Sequence, residues 1–442
     1  MRVKIISLLF IVFFSFQVFG QGKEIKFTQF DLPNGLHVIL HEDHTTPIVA
    51  INVLYHVGSK NEDPQRTGFA HFFEHLMFEG SKYIKRGQFD KIMENAGAIN
   101  NATTSQDRTL YFEILPSNQL ESGLWVESER MLHAKVDSVG VETQRKVVKE
   151  ERRQRYDNQP YGAFLEEVFK RAYKVHPYKW LPIGSVQYID KASLQEFMDF
   201  YHHYYVPQNA TLSISGDINI AKTEKLIKKY FTDIPRGRYK IKQPTVVEPP
   251  QKAEVRDTVY YKNVRLPLIS YAYHMPAKNT DDYYALQMLA TVLSRGESSR
   301  LKKDLVDKQQ IALNTGSFLM SLEDPGLFIS YAIGNREVSP AKLDSSMQME
   351  INKVKNNLIS EKEFQKVRNQ EENDFVSQNS TQNGIASDLA EYYVFFHDPN
   401  LINTEINNYM KVTREDIKRV ADKYLQDKNR VVLYYLPASM KK

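Results

Sequence analysis

Two short runs carrying apolar residues, 27–32 and 36–40, flank Pro33-Asn34-Gly35. The turn residues between them predict a β-hairpin. Residues 48–57 are almost continuously apolar and predict a strand buried on both faces. Helical periods follow. Residues 69–78 are apolar nearly all round, 88–95 predict a helix closed by Gly97, and 120–134 predict an amphipathic helix. Residues 99–105 and 109–115 read as extended. Residues 141–157 form a charged helix whose main apolar pair is Val147 and Val148. Ser193 caps a helix running through Tyr205, 209–215 is a strand, and 222–231 is a helix.

The stretch 235–250 is rich in proline and lysine, lacks a period, and reads as a linker. The second half then echoes the first. Thr46-Pro47-Ile48-Val49 matches Leu266-Pro267-Leu268-Ile269, an offset of 267 − 47 = 220. The spaced residues Ser193, Phe197, Tyr204 and Asn209 match Thr413, Ile417, Tyr424 and Asn429, again at 413 − 193 = 220. A shared offset at distant segments predicts a duplicated domain. The expected division is 21–234, a linker at 235–256, and 257–442.

With 42% hydrophobic and 25% charged residues the chain is an ordinary globular one, and 442 residues suffice for two or more domains. A formal charge of +4 without a basic block gives little support to nucleic acid as a main partner. Arg2 and Lys4 precede an apolar run from Ile5 to Phe16, and 1–20 reads as a secretory signal cut after Gly20. The alternative is an uncleaved anchor. No later segment is apolar enough to span a membrane, so the expectation is an exported protein, periplasmic or secreted. The chain has no cysteine, which rules out disulfides but identifies no compartment.

The candidate chemistry lies in the apolar helix. His71, Glu74 and His75 stand at i, i+3 and i+4 and share one face. Thr67-Gly68 can start this helix and Gly80 can stop it. Two imidazoles and a carboxylate among apolar residues need partners, because burying unpaired polar groups is costly. Neutral imidazoles at i and i+4 can share one zinc ion, with room for a third ligand and a water whose pKa falls to about 7. Glu74 has the chemistry to take that proton. The order H-x-x-E-H is the inverzincin signature. The bland alternative is a helix whose histidines are hydrogen-bonded core residues. On the charged helix, Glu151 follows Val147 and Val148 by four and three positions and shares their inward face, whereas Glu150 turns toward Lys146 and Arg153. Glu151 is therefore the better carboxylate for a buried metal. Adjacent His202 and His203 cannot chelate as an i, i+4 pair and read as surface or interface residues. The short polar strand around Asn100-Asn101-Ala102-Thr103-Thr104 is either an edge blunted against aggregation or one open to a guest strand.

These motifs, in this order, resemble the pitrilysin, insulin-degrading enzyme and mitochondrial processing peptidase family. The resemblance covers essentially the whole mature chain. It rests on Val57-Gly58-Ser59, Thr67 through Phe78, Asn101-Ala102-Thr103-Thr104, Asp107-Arg108-Thr109, Leu124-Trp125-Val126-Glu127, Val147 through Arg153, and Leu293 through Leu301. The resemblance implies Zn2+ held by His71, His75 and Glu151, with Glu74 as general base activating a zinc-bound water. It implies an α+β fold of two homologous domains, of the LuxS/processing-peptidase-like type, forming half of a clamshell. Peptide substrates would pair as a guest strand with Asn100, Asn101, Ala102 and Thr103.

Two departures stand out. Many members of that family have a second glutamate seven residues before the third ligand, and here Gln144 holds that second-shell position. The usual arginine and tyrosine of the second half fall on Val306 and Leu313. Zinc-bearing chains without that pair resemble the active subunits of two-chain members, which implies a zinc-less homologous partner in a heterodimer, with a homodimer as the other arrangement. At the offset of 220, His71 falls on Thr291 and His75 on Arg295, so the second half keeps the scaffold without the ligands. A zinc endopeptidase is the leading reading. A non-catalytic scaffold and a peptide-capturing protein of the same fold are the alternatives.

Overall fold

The computed structural model describes residues 24–441. The leader 1–20 and its cleavage site lie outside the described residues. Six strands form the first sheet: β1 (Thr28–Asp31), β2 (His37–Glu42), β3 (Ile48–Tyr55), β4 (Ile99–Thr104), β5 (Thr109–Pro116) and β6 (Ala210–Gly216). Their order is β1-β2-β6-β3-β5-β4. Five strands form the second: β7 (Val255–Tyr261), β8 (Leu268–His274), β9 (Ala312–Met320), β10 (Leu327–Gly334) and β11 (Arg430–Pro437), ordered β7-β11-β8-β10-β9. Helices pack against both sheets, an α+β arrangement.

The two sheets repeat one plan. β2 pairs parallel with β6 and β7 parallel with β11, and every other shared neighbour is antiparallel. Asn209 and Asn429 show the repeat at atomic level. Each side-chain amide donates to a tyrosine carbonyl five residues back, Tyr204 or Tyr424, and to a histidine carbonyl, His56 or His274. The last pair lies 274 − 56 = 218 apart, so β3 and β8 correspond at 218 and not at the 220 of the sequence match. A slip of two preserves which side chains face inward, so alternation alone cannot detect it.

The halves exchange helices. Helix Phe164–Ala172 of the first half packs on β8 and β11, and Gln382–Phe396 of the second packs on β3 and β6. Phe164, Val168 and Phe169 share one core with Leu268, Ile329 and Leu433 across the two sheets. Residues 232–254 contain no helix or strand, and β7 begins at Val255, just inside the expected linker, because its backbone is paired by β11.

A charged cluster also joins the halves. Lys60, 2% exposed, places Nζ 3.1 Å from Asp107, 2.5 Å from Glu323 and 3.7 Å from Asp324. Tyr178 donates to Asp107 (2.5 Å), and His56 lies 2.8 Å from Glu323. Burial opposes charge on Glu323, yet the bonds and charges of His56 and Lys60 hold its carboxyl at about 2.

Candidate metal centre

The histidine helix runs Phe69–Leu76 and buries Phe69, Ala70, Phe72, Phe73 and Leu76. Its start is not capped by Thr67, whose hydroxyl accepts the Ser185 N–H instead. Gly68 turns the chain at φ +101°, and the buried Glu62 carboxylate accepts the N–H groups of Gly68 and Ala70, both at 2.9 Å. Trp180 Nε1 donates to the same carboxylate. Burial pushes Glu62 up to about 8 against the pull of these donors. The close approach that Gly68 requires is matched by Gly184, where a Cβ would lie 2.3 Å from Gly68 N.

The charged helix spans Ser138–Arg152, starting earlier than the sequence predicts because the Asp137 side chain caps Gly140 N (2.7 Å). It loosens at Arg153–Asp157, where Asn158 N donates to Arg153 O across a wide turn. Val148 is buried, but Val147 is 43% exposed, so only one valine of the expected pair marks the inward face. Glu150 points outward to Arg153. Glu151 points inward: its Oε2 lies 3.1 Å from His75 Nε2 and 3.5 Å from His71 Nε2. Its Oε1 is held by Arg155 at 2.8 Å, one helical turn onward. The His75 hydrogen bond leads in holding the Glu151 carboxyl low, with burial opposing and His71, His75 and Arg155 charges adding.

Among the described residues, His71, His75 and Glu151 are the one group of three able to offer converging ligand atoms, all within 4.8 Å of one another. Burial, then the neighbouring His75, lowers His71 to about 4, which leaves a neutral imidazole with a free lone pair at neutral pH. His71 Nδ1 is buried without a hydrogen-bond partner. Two imidazole nitrogens facing one carboxylate oxygen form a donor set that fits a divalent ion of borderline softness.

Glu74 sits on the same face, and Thr104 Oγ1 of β4 donates to its Oε2 at 2.6 Å. Burial raises the Glu74 carboxyl, and the Thr104 hydroxyl pulls the other way. Sequence spacing gives no sign of this contact, because Thr104 is thirty residues away on another element. β4 is the terminal strand of the sheet and pairs only with β5 among the described residues. Ala102 N donates to the side chain of its neighbour Asn101 (2.9 Å), and Asn100 Nδ2 reaches Asp90. Thr103 is tied to Arg108. Gln144 lies behind the triad: its amide donates to buried Glu79 (2.6 Å), which also pairs with Arg86, and the structure brings it to none of the three candidate ligands.

The second half preserves the geometry with other residues. At 71 + 220, 74 + 220, 75 + 220 and 151 + 220 stand Thr291, Ser294, Arg295 and Glu371. Thr291 Oγ1 donates to Glu371 (2.7 Å), as His71 faces Glu151. Ser294 Oγ donates to Ser317 O on the edge strand β9, as Glu74 meets β4. Arg295 pairs with Asp374. Val306 is half-buried against the second core, and Leu313 is 61% exposed on β9.

Comparison with known proteins places this architecture. Residues 37–180 match the insulinase family, peptidase family M16, and 191–371 match the peptidase M16 inactive domain. The zinc protease PqqE of Helicobacter pylori is 34% identical over 410 residues, 92% of each chain. The chain belongs to the M16 peptidase family. A more distant M16 relative is the probable mitochondrial-processing peptidase subunit beta of Arabidopsis thaliana, 21% identical over 90% of this chain and 76% of that one. The crystal structure of a protease from Helicobacter pylori superposes with a TM-score of 0.89 at 32% identity, covering 93% of this chain and 100% of that one. The fold of the periplasmic protease PqqL from Escherichia coli matches at a TM-score of 0.75 and 18% identity, over 94% of this chain but 48% of that longer one. The two M16-type domains thus have the size of half a clamshell.

Proposed function

We propose that this M16 chain is a zinc-dependent endopeptidase that hydrolyses peptides or unfolded segments within a closed chamber. The observation that carries the reading is the convergence of His71, His75 and Glu151 beside Glu74, next to the edge of β4 that no other described strand pairs. His71, His75 and Glu151 would hold the ion, which when bound supplies Lewis acidity and a water of lowered pKa. Glu74 accepts the proton of the attacking water and delivers it to the departing amine. Thr104 holds the Glu74 carboxylate in place, and the backbone of Asn100 through Thr103 offers an edge for a guest strand.

The half-clamshell size supports a second subunit. With apolar residues at Val306 and Leu313, a zinc-less homologue is the proposed partner, and a homodimer is the other arrangement. The apolar leader supports export to the periplasm or beyond.

The test is cleavage of a quenched fluorescent peptide library by wild type and Glu74→Gln, each with its metal counted, alone and mixed with a zinc-less homologue encoded beside it. Zinc in both proteins and turnover only in wild type supports the peptidase. Turnover only in the mixture supports the two-chain form, and full turnover by the isolated chain removes the need for it. Zinc without turnover in either condition favours a capture or scaffold role.

A further inference from the structure

The strand that holds Glu74 is also held from behind. Side chains alternate along a strand, so Thr104 faces the histidine helix while Thr103 faces the opposite side of the sheet. On that side Arg108, which leaves the turn between β4 and β5, donates from Nη1 to Thr103 Oγ1 (2.6 Å) and to Thr103 O (3.3 Å). Its Nε donates to Glu391 Oε1 (2.8 Å). Glu391 belongs to Gln382–Phe396, the second-half helix lodged on β3 and β6, and Lys278 Nζ lies 3.9 Å from its other oxygen. Burial opposes charge on Glu391, yet Lys278 and Arg108 keep its carboxyl below the ordinary range. One guanidinium fork therefore connects a carboxylate of the metal-less half to the edge strand of the metal-bearing half. The fork aims two separate nitrogens, Nε at Glu391 and Nη1 at Thr103, where a lysine would offer a single one.

We propose that Arg108 is a positioning residue through which the second half, by Glu391, fixes β4 for the guest strand and for the Thr104–Glu74 contact. The part that concerns substrate rests on the peptidase reading; the part that concerns the strand does not. The fork sets the edge before a peptide arrives, which lowers the ordering cost of adding a strand. It gives the half without ligands a direct role at the site.

The experiment compares wild type, Arg108→Ala and Arg108→Lys, all zinc-loaded. Amide hydrogen exchange is followed along 99–104, and the peptide library gives KM and kcat. The expected result is faster exchange confined to 99–104 in Arg108→Ala under native conditions, with zinc content close to wild type and a melting temperature lowered because Glu391 loses one of its two cations. KM should rise about tenfold, the loss of roughly one charge-assisted hydrogen bond, with a smaller change in kcat, and Arg108→Lys should fall between. Unchanged exchange along 99–104 in Arg108→Ala overturns the proposal, as does a change spread over the whole chain. Faster exchange confined to 99–104 in a protein that never cleaves peptides would support the strut while overturning the peptidase reading.

Discussion

Thr104 and Glu74 meet across the site: the threonine hydroxyl donates 2.6 Å to the carboxylate proposed as the base. The bond joins the histidine helix to the outermost strand of the first sheet, so the proposed base and the proposed guest-strand edge form one unit. Thr104→Val keeps the shape and removes the donor. With the carboxylate free to rotate, kcat should fall about tenfold, with KM and bound zinc little changed. Steady-state kinetics with metal analysis checks this, and an unchanged kcat would separate the contact from catalysis.

Arg155 holds the outer oxygen of Glu151 while the inner oxygen faces the histidines. Partners of this kind orient ligands, and their loss typically weakens metal binding by about 10- to 100-fold. Arg155 is mostly exposed, so water can replace part of the contact and the lower end of that range is expected for Arg155→Met. Glu151→Gln removes the charge of a proposed ligand and should lower affinity further. Competition with a fluorescent zinc chelator reads both variants.

Glu62 caps the histidine helix from a buried position, with its carboxyl raised from an ordinary value near 4.5 to about 8. A raised acid holds its proton in the folded chain where the unfolded chain has released it. The unfolded state then binds fewer protons between those values, so this group makes stability fall as pH rises from about 4.5 to about 8. Denaturant unfolding at pH 5 and pH 8 should show a steeper decline in wild type than in Glu62→Gln. Glu62→Ala leaves the N–H groups of Gly68 and Ala70 without their acceptor, at a cost of about 1–3 kcal/mol each.

Lys60 is surrounded by Asp107, Glu323 and Asp324 at the junction of the halves. Lys60→Met keeps the length of the side chain and leaves those carboxylates without their cation. Breaking a buried pair from one side costs about 3–5 kcal/mol. Thermal unfolding should shift down accordingly, and the Lys60→Met, Glu323→Gln double variant should recover part of the loss. A loss in the double variant equal to the sum of the separate Lys60→Met and Glu323→Gln losses would show that the pair is not coupled.

Local spacing alone brought out the periodic elements, the shared face of His71, Glu74 and His75, and the inward choice of Glu151 over Glu150. Each depends on the geometry of a single helix, in which residues three and four apart are neighbours. The duplicated plan was also legible, because caps and turn residues repeat with the sheets. The sequence could not show the two-residue shift between β3 and β8, since a period of two hides a slip of two. Nor could it show that Val147 faces out, which depends on what packs against the charged helix. Gln144 meets Glu79, not the triad, for the same reason. The Glu62 cap, the Thr104 contact and the Arg108–Glu391 strut join residues 8, 30 and 283 positions apart. Only the closing of the sheets and the exchange of helices between the halves brings those groups within hydrogen-bonding reach. Periodicity records which face a residue belongs to, while tertiary packing decides which residue it meets there.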